Sequence, residues 1–524
     1  MGYRGSSVRV LCAQGGFCGA KDIDSVAPFM MVEPTRNIIY QRGGRRKRGG
    51  TAKMYENPYA AGVRSILKVR FQNQLEYIIV GLANGHIYKN ATEAITTTAL
   101  GANRYFSMAY AEEKVFIADG VNTPQVWDGG AAIRVIAEPA ADFSTVPVFQ
   151  ILLHKVGQAE RVICLNRRGI YMSKTGMVDG DMEKFITDAE FLPITTSDGI
   201  GPVGMIEIGD QLVVFGRQKA YRLDDSNIDS SHWQVFESAW NGGTISWRTL
   251  VTTPNDVYAM TTDGDIYSIA AVEAYGDYKM ASLTRQAWIF DWIKEHIDLS
   301  KSADFHGVYD PILGAARFFM TRKGQSTPTT CLLYYTDRSP ESAWMIEDNQ
   351  SAPSGYNALC SAAAFSSAGS VDVLTGGIDG HVWKLDQANR NDAGAGYYGG
   401  FKSAVDDFGD PRFGKLYNQC HISTEAIAAH RMQVRFWIDN AIVGVPRYVD
   451  LRGAGAVLGA FLLGTDMLGG GSIIEASLKI GKRGKRLQYE IYTAGANEDF
   501  FISEYATDVK GRGAEAKSNT IKGE

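Results

Sequence analysis

The chain has 524 residues and a formal net charge of −5, and 45% of its residues are hydrophobic and 21% charged. This composition is that of a globular protein, and it excludes a disordered, collagen-like or coiled-coil chain. Glycine is abundant, with 57 residues or about 11% against an average of about 7%. The 25 Tyr and 23 Phe residues add much aromatic surface, and this combination favours many short strands joined by tight turns.

Charge and cysteine usage exclude further classes of protein. The 53 basic and 58 acidic residues nearly balance, so the bulk charge gives no sign of nucleic-acid or membrane-surface binding. The six cysteines are dispersed and form no C-x-x-C pair, which argues against a zinc framework or a disulfide scaffold. The N-terminal apolar stretch is too short and too broken for a signal peptide, so we expect synthesis in a reducing cytoplasm.

The first anomaly along the chain is the segment QRGGRRKRGGT at 41–51, which holds five basic residues among four glycines. Flexible glycines let guanidinium groups reach phosphates, so contact with nucleic acid is one hypothesis. Basic clusters without interleaved aromatics read bases poorly, which favours docking onto a protein partner. The predicted docking residues are Arg42, Arg45, Arg46, Lys47 and Arg48.

A repeated unit begins near residue 65 and consists of an apolar strand, a turn with Gly, Asn or Asp, and a short strand carrying Tyr or Trp. Two examples are IIVGLANGHIYKN at 78–90 and VLTGGIDGHVWKLD at 373–386. Four strands in about 45 residues are typical of a β-propeller blade. We call this aromatic residue the anchor of its unit, and the anchors are Tyr88, Trp127, Tyr171, Tyr221, Tyr267 and Trp383. Successive anchors are 39, 44, 50, 46 and 116 residues apart, and the last gap holds two units.

Seven such units can be counted up to residue 395, or six if the first or third is irregular. The segment 283–297 is a helix candidate inside the repeat, because its apolar residues follow three- and four-residue steps. A propeller ring must close, and the segment 26–40, which ends in NIIY, is the predicted supplier of the closing strand. We expect the aromatic anchors to pack between blades, because large aromatics dominate cores by buried area.

Past residue 395 the blade rhythm ends, and alternating strands such as MQVRFWI at 432–438 predict a β-sandwich or barrel. The apolar, Gly-rich stretch 453–472 is interrupted by Asp466 and is too short for a spanning helix, which favours a loop or short strands over a membrane-active segment. So many consecutive apolar residues predict a channel constriction or a subunit contact. The residues predicted for this role are Phe461, Leu462, Leu463, Met467 and Leu468.

The predicted fold is therefore all-β: a six- or seven-bladed β-propeller with a C-terminal β-sandwich or barrel module and an N-terminal extension. The extension, 1–54, carries the basic Gly loop and a possible ring-closing strand. The propeller follows at 55–395, the sandwich or barrel at 396–511, and a flexible tail at 512–524.

The sequence contains no local catalytic motif: it lacks G-x-S-x-G, H-E-x-x-H and G-x-x-x-x-G-K-[ST]. Its eight histidines are scattered, and carboxylates in turns, such as Asp179 and Asp181, miss the spacing of an EF-hand loop. We therefore predict no enzyme, no cofactor and no metal. A propeller glycosidase would need paired carboxylates, a pairing that a sequence does not reveal.

Several motifs together resemble one known family. Asn37 precedes an apolar strand, and a basic Gly turn leads into K-R-x-G-T, here the run from Lys47 to Thr51. With VYDPILGAARFFM at 308–320 and RGKRLQYEIYTAGANEDFFISEYATDV at 483–509, this pattern resembles the tail nozzle proteins of short-tailed bacteriophages, also called tail tubular protein B. The usual form of the motif has Pro before the Gly, where this chain has Gly49.

The resemblance implies a structural protein of the virion tail, made in the host cytoplasm, and not an enzyme. It implies a homo-oligomer, a hexameric ring that closes the tail channel until genome ejection, without a membrane anchor. Tail adaptor proteins and a tail fibre or spike are the implied partners, with transient passage of double-stranded DNA. An acidic overall balance suits a conduit that must not hold phosphates. A carbohydrate-binding or scaffold propeller and, less favoured, a propeller glycosidase are the alternatives.

Overall fold

The chain divides into two compact units, which we call the propeller unit and the sandwich unit. The propeller unit comprises Gly50–Pro340 and Glu347–Gln387, and the sandwich unit comprises Met1–Gly49, Glu341–Ile346 and Ala388–Glu524. The computed structural model describes residues 6–12, 14–22, 26–41, 43–156, 159–176, 179–186, 191–209, 211–227, 229–238, 242–272, 277–349, 354–409, 412–427, 430–452 and 473–511.

Seven four-stranded antiparallel sheets follow one another in the propeller part of the chain. Each is built from consecutive strands except the last, whose fourth strand comes from the N-terminal side. We number the sheets as blades 1 to 7. Their strands, from first to fourth, are Val63–Arg70, Glu76–Leu82, Ile87–Lys89 and Glu93–Ala94 (blade 1); Ser107–Ala111, Lys114–Ala118, Gln125–Trp127 and Arg134–Val135 (blade 2); Gln150–Val156, Ala159–Leu165, Gly169–Met172 and Phe191–Pro193 (blade 3); Gly204–Ile208, Gln211–Phe215, Ala220–Asp224 and Gln234–Glu237 (blade 4); Val251–Thr252, Val257–Met260, Ile266–Val272 and Asp277–Ser282 (blade 5); His306–Asp310, Ala315–Met320, Thr330–Tyr335 and Trp344–Asp348 (blade 6); and Ala358–Phe365, Val371–Gly377, Val382–Gln387 and Gly50–Lys53 (blade 7).

The blades close into a ring, so the unit is a seven-bladed β-propeller. The first strands of consecutive blades contact each other, with the 3-10 turn Trp247–Thr249 making the contact between blades 4 and 5. The first strand of blade 7 in turn contacts that of blade 1. Hydrophobic clusters fill the spaces between adjacent blades, and one of them joins Val126 of blade 2 to Val162 of blade 3. Closure thus covers faces that a single blade would leave in water.

The strand that completes blade 7 is Gly50–Lys53, which pairs with Val382–Gln387. The prediction that the segment 26–40 supplies the closing strand is wrong. Its apolar end, Ile38–Gln41, pairs with Gly44–Lys47 inside a sheet of the sandwich unit. Three of the four residues of Ile38–Gln41 are buried there, which explains why an apolar strand is found in this segment at all.

The repeat seen in the sequence is the repeat of the third strands. All six aromatic anchors lie on the third strand of a blade, in blades 1 to 5 and 7. Trp127, Tyr267 and Trp383 are fully buried, and Tyr171 and Tyr221 are nearly so. Four of these anchors lie in the clusters between blades, so the spacing of the anchors follows the spacing of the blades; the four are Trp127, Tyr171, Tyr221 and Tyr267.

The helix predicted at 283–297 is observed as Ile289–His296, between blades 5 and 6. It starts later than its apolar pattern suggests, because Trp288 has a φ of 53° and its backbone is left-handed rather than helical. The buried residues of the helix are Ile289, Phe290, Trp292 and Ile293. The 3-10 segments of the described chain are Ala141–Ser144, Asp181–Glu183, Ser230–His232, Trp247–Thr249 and Leu299–Asp304.

The sandwich unit consists of two six-stranded antiparallel sheets. In the first sheet the order is Ile38–Gln41, Gly44–Lys47, Phe501–Gly511, Lys415–Glu425 and Ile473–Gly484, and Ser6–Leu11 also pairs with Phe501–Gly511. In the second sheet the order is Met31–Arg36, Gly399–Ser403, Leu487–Thr493, Arg431–Ile438 and Ala441–Ile442, and Arg447–Asp450 also pairs with Arg431–Ile438.

Aromatic side chains from the two sheets meet in the core of the sandwich. The rings of Tyr489 and Tyr505, one from each sheet, are 4.6 Å apart, and the Tyr489 hydroxyl lies 2.5 Å from Thr507 Oγ1. Strands from the N-terminal 49 residues belong to both sheets. The observed division therefore differs from the predicted one, in which 1–54 was an extension separate from the module at 396–511.

Blades 6 and 7 share a buried cluster around Arg317, whose side chain is fully buried. Its guanidinium donates to Asp310 Oδ2 at 3.1 and 3.0 Å, and it also pairs with Glu347 of blade 6 and Asp386 of blade 7. The Tyr356 hydroxyl donates to the same Glu347 carboxylate at 2.9 Å. One guanidinium thus contacts three carboxylates, of which Asp310 and Glu347 are buried.

We predict that Arg317→Met lowers the free energy of unfolding by about 3–5 kcal/mol, because it leaves buried carboxylates without their cation. Chemical denaturation of the full chain measures the change. Arg104→Met, at an exposed arginine of the same unit, is the matched control and should stay within about 0.5 kcal/mol of the parent. Equal stability of the two variants would contradict the role of Arg317.

Candidate functional site

The basic segment forms a hairpin of the first sandwich sheet. Ile38–Gln41 and Gly44–Lys47 pair antiparallel, with Tyr40 opposite Arg45. The tight turn between them requires Gly43, whose φ is +79°. Gly43 therefore belongs to a hairpin turn, and Arg45, Arg46 and Lys47 lie on a strand rather than on a flexible loop.

Two arginines of this segment are fully buried. Arg45 donates to the main-chain oxygens of Gln14 and Phe29 at 2.8 and 2.6 Å, and its guanidinium lies 4.7 Å from the centre of the Phe401 ring. Carbonyl dipoles and a ring face thus take the place of a carboxylate.

Arg48 is held by a cluster that we call the Arg48 clasp. Its Nε donates to Asn37 Oδ1 at 2.8 Å, and its two terminal nitrogens donate to Asp392 at 3.0 and 2.8 Å. The guanidinium also lies 3.8 Å from the centre of the Tyr397 ring. A bidentate carboxylate, an amide and an aromatic face satisfy this buried charge from three sides.

Arg46 and Lys47, the other two basic residues of the segment that the structure describes, also have contacts within the sandwich unit. Arg46 donates to Asp499 Oδ2 at 2.9 and 2.6 Å. Lys47 is fully buried, with its ammonium 4.2 Å from the centre of the Tyr397 ring. Burial, together with the charge of Arg48, lowers the pKa of Lys47 to about 8.

The prediction that this segment is an exposed docking loop is wrong for Arg45, Lys47 and Arg48, because their side chains are fully buried within the sandwich unit. Arg46 is 23% exposed and already paired, which leaves little of its charge for a partner. Arg42 lies outside the described residues. So do the predicted channel residues, Phe461, Leu462, Leu463, Met467 and Leu468.

The centre of the propeller holds a cavity of about 360 Å³, which we call the central cavity. Residues from the first strands, or from the turns beside them, line it in all seven blades. Polar side chains join one blade to the next at this wall: Ser65 accepts from Phe106 N at 2.8 Å, and Ser107 accepts from Ile151 N at 2.9 Å. These bonds satisfy main-chain donors that face the axis of the ring.

The wall of the central cavity also carries a cross-link between opposite blades. The ring of Tyr105 lies between two guanidiniums, 4.7 Å from Arg64 and 3.3 Å from Arg248. The Tyr105 hydroxyl donates to Asp304, which is 3.7 Å from Arg64. These four residues come from the regions of blades 1, 2, 5 and 6, so they tie distant parts of the ring together.

A buried histidine joins blade 3 to blade 4. His154 Nδ1 lies 2.7 Å from Glu207 and its Nε2 lies 2.8 Å from Asp225. Burial by itself lowers the pKa of His154, but hydrogen bonds to the two carboxylates outweigh burial and raise the pKa to about 9. His154 is therefore a cation at neutral pH and compensates Glu207, the carboxylate among the described residues of the central cavity wall.

We predict that this cluster gives the protein a pH-dependent stability. The pKa of His154 is higher in the folded state than its unfolded value of about 6.5, so its contribution is complete below about pH 6.5 and is lost as pH rises through about 9. Calorimetry should therefore show a stability gap between the parent and His154→Gln that closes as pH rises. The exposed His232 supplies the control, His232→Gln, and a gap that does not change with pH would contradict the assignment.

The first sandwich sheet brings together a serine, a histidine and an aspartate that sequence reasoning missed. His421 Nδ1 lies 2.8 Å from Ser477 Oγ, and its Nε2 lies 3.0 Å from Asp508 Oδ2. Their sequence separations of 56 and 87 residues give no local signal, and only the strand register aligns them. The side chains of His421 and Asp508 are each 41% exposed, so the trio lies on an open face rather than in a pocket.

A basic pocket of about 570 Å³ lies at one end of the same sheet. Arg483 and Lys510 stand on either side of Leu416, on the two strands that flank it. Arg412 and Lys415 also line the pocket, and its described wall contains no carboxylate. This concentration of positive charge is a candidate surface for an acidic partner.

The described part of the chain shows neither a metal cluster nor a membrane-spanning helix. Within the described ranges, no group of three or more His, Cys, Asp or Glu is placed to hold a metal ion. The six cysteines are buried and unpaired with one another. None of the helices described is long and apolar enough to cross a membrane.

Comparison with known proteins yields similarity at the level of three-dimensional structure. No protein-family model and no curated protein matches the sequence. Among solved structures, the chain is similar to BBS1N in complex with ARL6DN, soaked with mercury, at 9% identity and a TM-score of 0.38, covering 65% of this chain and 98% of that one.

Two further solved structures have comparable values. YCF48 bound to D1 peptide shares 10% identity at a TM-score of 0.39, covering 67% of this chain and 97% of that one. BamB from Moraxella catarrhalis shares 10% identity at a TM-score of 0.35, covering 73% of this chain and 97% of that one. At these identities and TM-scores, no function is transferred from them to this chain.

Proposed function

We propose that this chain is a non-catalytic structural protein of a short-tailed bacteriophage tail, in which several copies form a nozzle ring around the channel for DNA. The observation that supports this most is the role of the residues that carry the resemblance. Asn37 and Arg48 of the first motif form the Arg48 clasp. Asp310 and Arg317 of the second motif form the buried cluster of blade 6. Residues that stabilise a fold are the ones we expect proteins of the same architecture to share. The position of these motif residues in buried clusters therefore supports a shared architecture.

The size of the central cavity supports a channel between copies rather than through one propeller. A volume of about 360 Å³ corresponds to a cube with an edge of about 7 Å, whereas the major groove of B-DNA alone is about 12 Å wide. The contacts of Tyr105 with Arg64 and Arg248, two residues of the cavity wall, further hold the blades together around this narrow space. A duplex would therefore pass through a hole that several subunits enclose.

Charge distribution supports a basic-to-acidic contact between neighbouring copies. The sandwich unit holds 26 Lys and Arg against 20 Asp and Glu, whereas the propeller unit holds 27 against 38. With Arg45, Lys47 and Arg48 buried, the basic pocket takes the docking role that we had assigned to the basic segment. Its partner in this proposal is the acidic propeller unit of the next copy. Adaptor proteins and a fibre or spike remain the proposed further partners in the virion.

We predict that the double variant Arg483→Glu, Lys510→Glu does not assemble into the rings that the parent forms. Sedimentation and electron microscopy of the purified chain measure assembly, which should also weaken with salt because the contact is electrostatic. The control Arg431→Glu, Arg447→Glu makes the same change in charge at exposed arginines of the second sandwich sheet. Rings that survive the first variant would refute the docking surface, and a parent that stays monomeric would refute the ring itself.

The proposed absence of catalysis is tested at the Ser477 trio, the described arrangement that most resembles an enzyme site. A working serine nucleophile needs donors that stabilise the developing oxyanion, in a site that excludes water. Neither the central cavity nor the basic pocket includes Ser477, His421 or Asp508 in its wall. We therefore predict no labelling by a fluorophosphonate probe. Labelling that disappears in Ser477→Ala would show a hydrolase and overturn this part of the proposal.

A further inference from the structure

Arg248 is a buried cation that makes no salt bridge with a carboxylate among the described residues. It is 8% exposed, and its guanidinium donates to the main-chain oxygens of Ala303, at 3.1 Å, and Leu359. Its remaining contact is the face of Tyr105. Buried charges in proteins are usually paired with an opposite charge. The site therefore favours an additional anion near Arg248.

A second guanidinium strengthens this excess of positive charge. Arg64 shares the wall of the central cavity with Arg248, and its nearest carboxylate is Asp304 at 3.7 Å. Asp304 also accepts from the Tyr105 hydroxyl. Two cations thus depend on one carboxylate, and the buried Arg64 Nε has no hydrogen-bond partner among the described groups.

Glu207, the carboxylate among the described residues of the wall, does not reduce this excess. Glu207 is hydrogen-bonded to His154, which is itself protonated at neutral pH. Its charge is therefore compensated within the junction between blades 3 and 4. The region around Arg64 and Arg248 keeps a net positive charge.

Two neutral polar side chains of the cavity wall, His306 and Ser361, indicate which further chemical group the anion has. His306 Nδ1 lies 3.1 Å from the main-chain oxygen of Asp304, so Nδ1 carries the proton and Nε2 is an acceptor. Burial and the charge of Arg248 hold the pKa of His306 well below its usual range, so the ring is neutral at pH 7. His306 is 3% exposed, and neither its Nε2 nor Ser361 Oγ has a partner in the described part of the chain.

We infer that the central cavity binds a small oxyanion that also carries a hydroxyl group, such as a hydroxycarboxylate or hydrogenphosphate. Arg64 and Arg248 take the negative oxygens, Ser361 adds a hydrogen bond, and the ligand's hydroxyl donates to His306 Nε2. A volume of about 360 Å³ is within the range of small-molecule sites, which is about 300–1,000 Å³. Because it contacts residues of several blades, the bound anion would stabilise the closed ring of blades. This inference goes beyond the proposed tail function and does not depend on it.

Titration calorimetry of the full chain with glycolate, inorganic phosphate and acetate, at matched ionic strength, tests the inference. We expect saturable binding of glycolate or phosphate, and the stronger of the two identifies the source of the oxyanion. Acetate has the carboxylate but no hydroxyl, so it should bind about ten-fold more weakly than glycolate. Acetate that binds as tightly as glycolate would overturn the role of His306, and no saturable binding of any of the three would overturn the site.

Variants separate binding in the cavity from binding elsewhere. Arg64→Gln should lose about ten-fold or more in affinity, since it removes a charged donor, and Ser361→Ala should lose less. Arg104→Gln, at an exposed arginine of the same unit, is the matched control and should bind like the parent. Arg248→Gln should abolish binding, and if this variant does not fold, Arg64→Gln and Ser361→Ala carry the test. Unchanged affinity in both of these variants would overturn the inference.

Discussion

The propeller depends on one short strand pair, Gly50–Lys53 with Val382–Gln387. Lys53 stands opposite Trp383, so the pair joins the two ends of the propeller segment of the chain. The entropy lost on closing so long a loop grows only with the logarithm of its length. The gain comes from all seven blades at once, because closure buries the faces and edges that the first and last blades would otherwise expose. A four-residue strand can therefore decide whether more than 300 residues form a ring.

Cations turned inward are the second organising feature of the molecule. Arg48 and Arg317 are paired with carboxylates, whereas Arg45 and Arg248 use main-chain carbonyls and aromatic faces. In the interior, where the dielectric constant is low, each of these contacts is stronger than it would be on the surface. A buried charge without a partner also costs more free energy there. A local run of basic residues in the sequence, such as Arg45 to Arg48, therefore does not identify a basic surface. Arg248 differs from the other three in that it lines the central cavity, which gives it the clearest reason to bind a ligand.

The blades were predictable because their information is local. A strand, a turn and an anchored strand lie within a few dozen residues, and anchors such as Trp127 recur on the same strand of each blade. The closing strand was not predictable in this way. Gly50–Lys53 has no apolar alternation, and its partner lies at the far end of the propeller. The apolar NIIY at 37–40 was the better local candidate and belongs to the other unit.

The burial of the basic segment was hidden for a similar reason. Asp392, Tyr397 and Asp499 surround it, and all lie more than 300 residues further along the chain. Space for Lys47 is made by a glycine of the neighbouring sheet, since a Cβ at Gly399 would lie 2.6 Å from Lys47 Cγ. Nothing near residues 41–51 encodes these partners. The local density of charge therefore predicted an exposed surface, although most of this segment is buried in the core of the sandwich unit.

This burial also resolves a conflict within the proposed function. A ring of exposed arginines around a passing duplex would bind its phosphates and release counterions, and the drag would be repeated in every subunit. Here the guanidiniums of Arg45 and Arg48 are buried and bonded to groups of their own subunit, so the basic segment can stabilise the fold without holding DNA. The propeller unit, with 38 acidic against 27 basic residues, adds repulsion rather than attraction toward phosphates. In a channel assembled from such subunits, the charges that hold the subunits together would not contact the DNA.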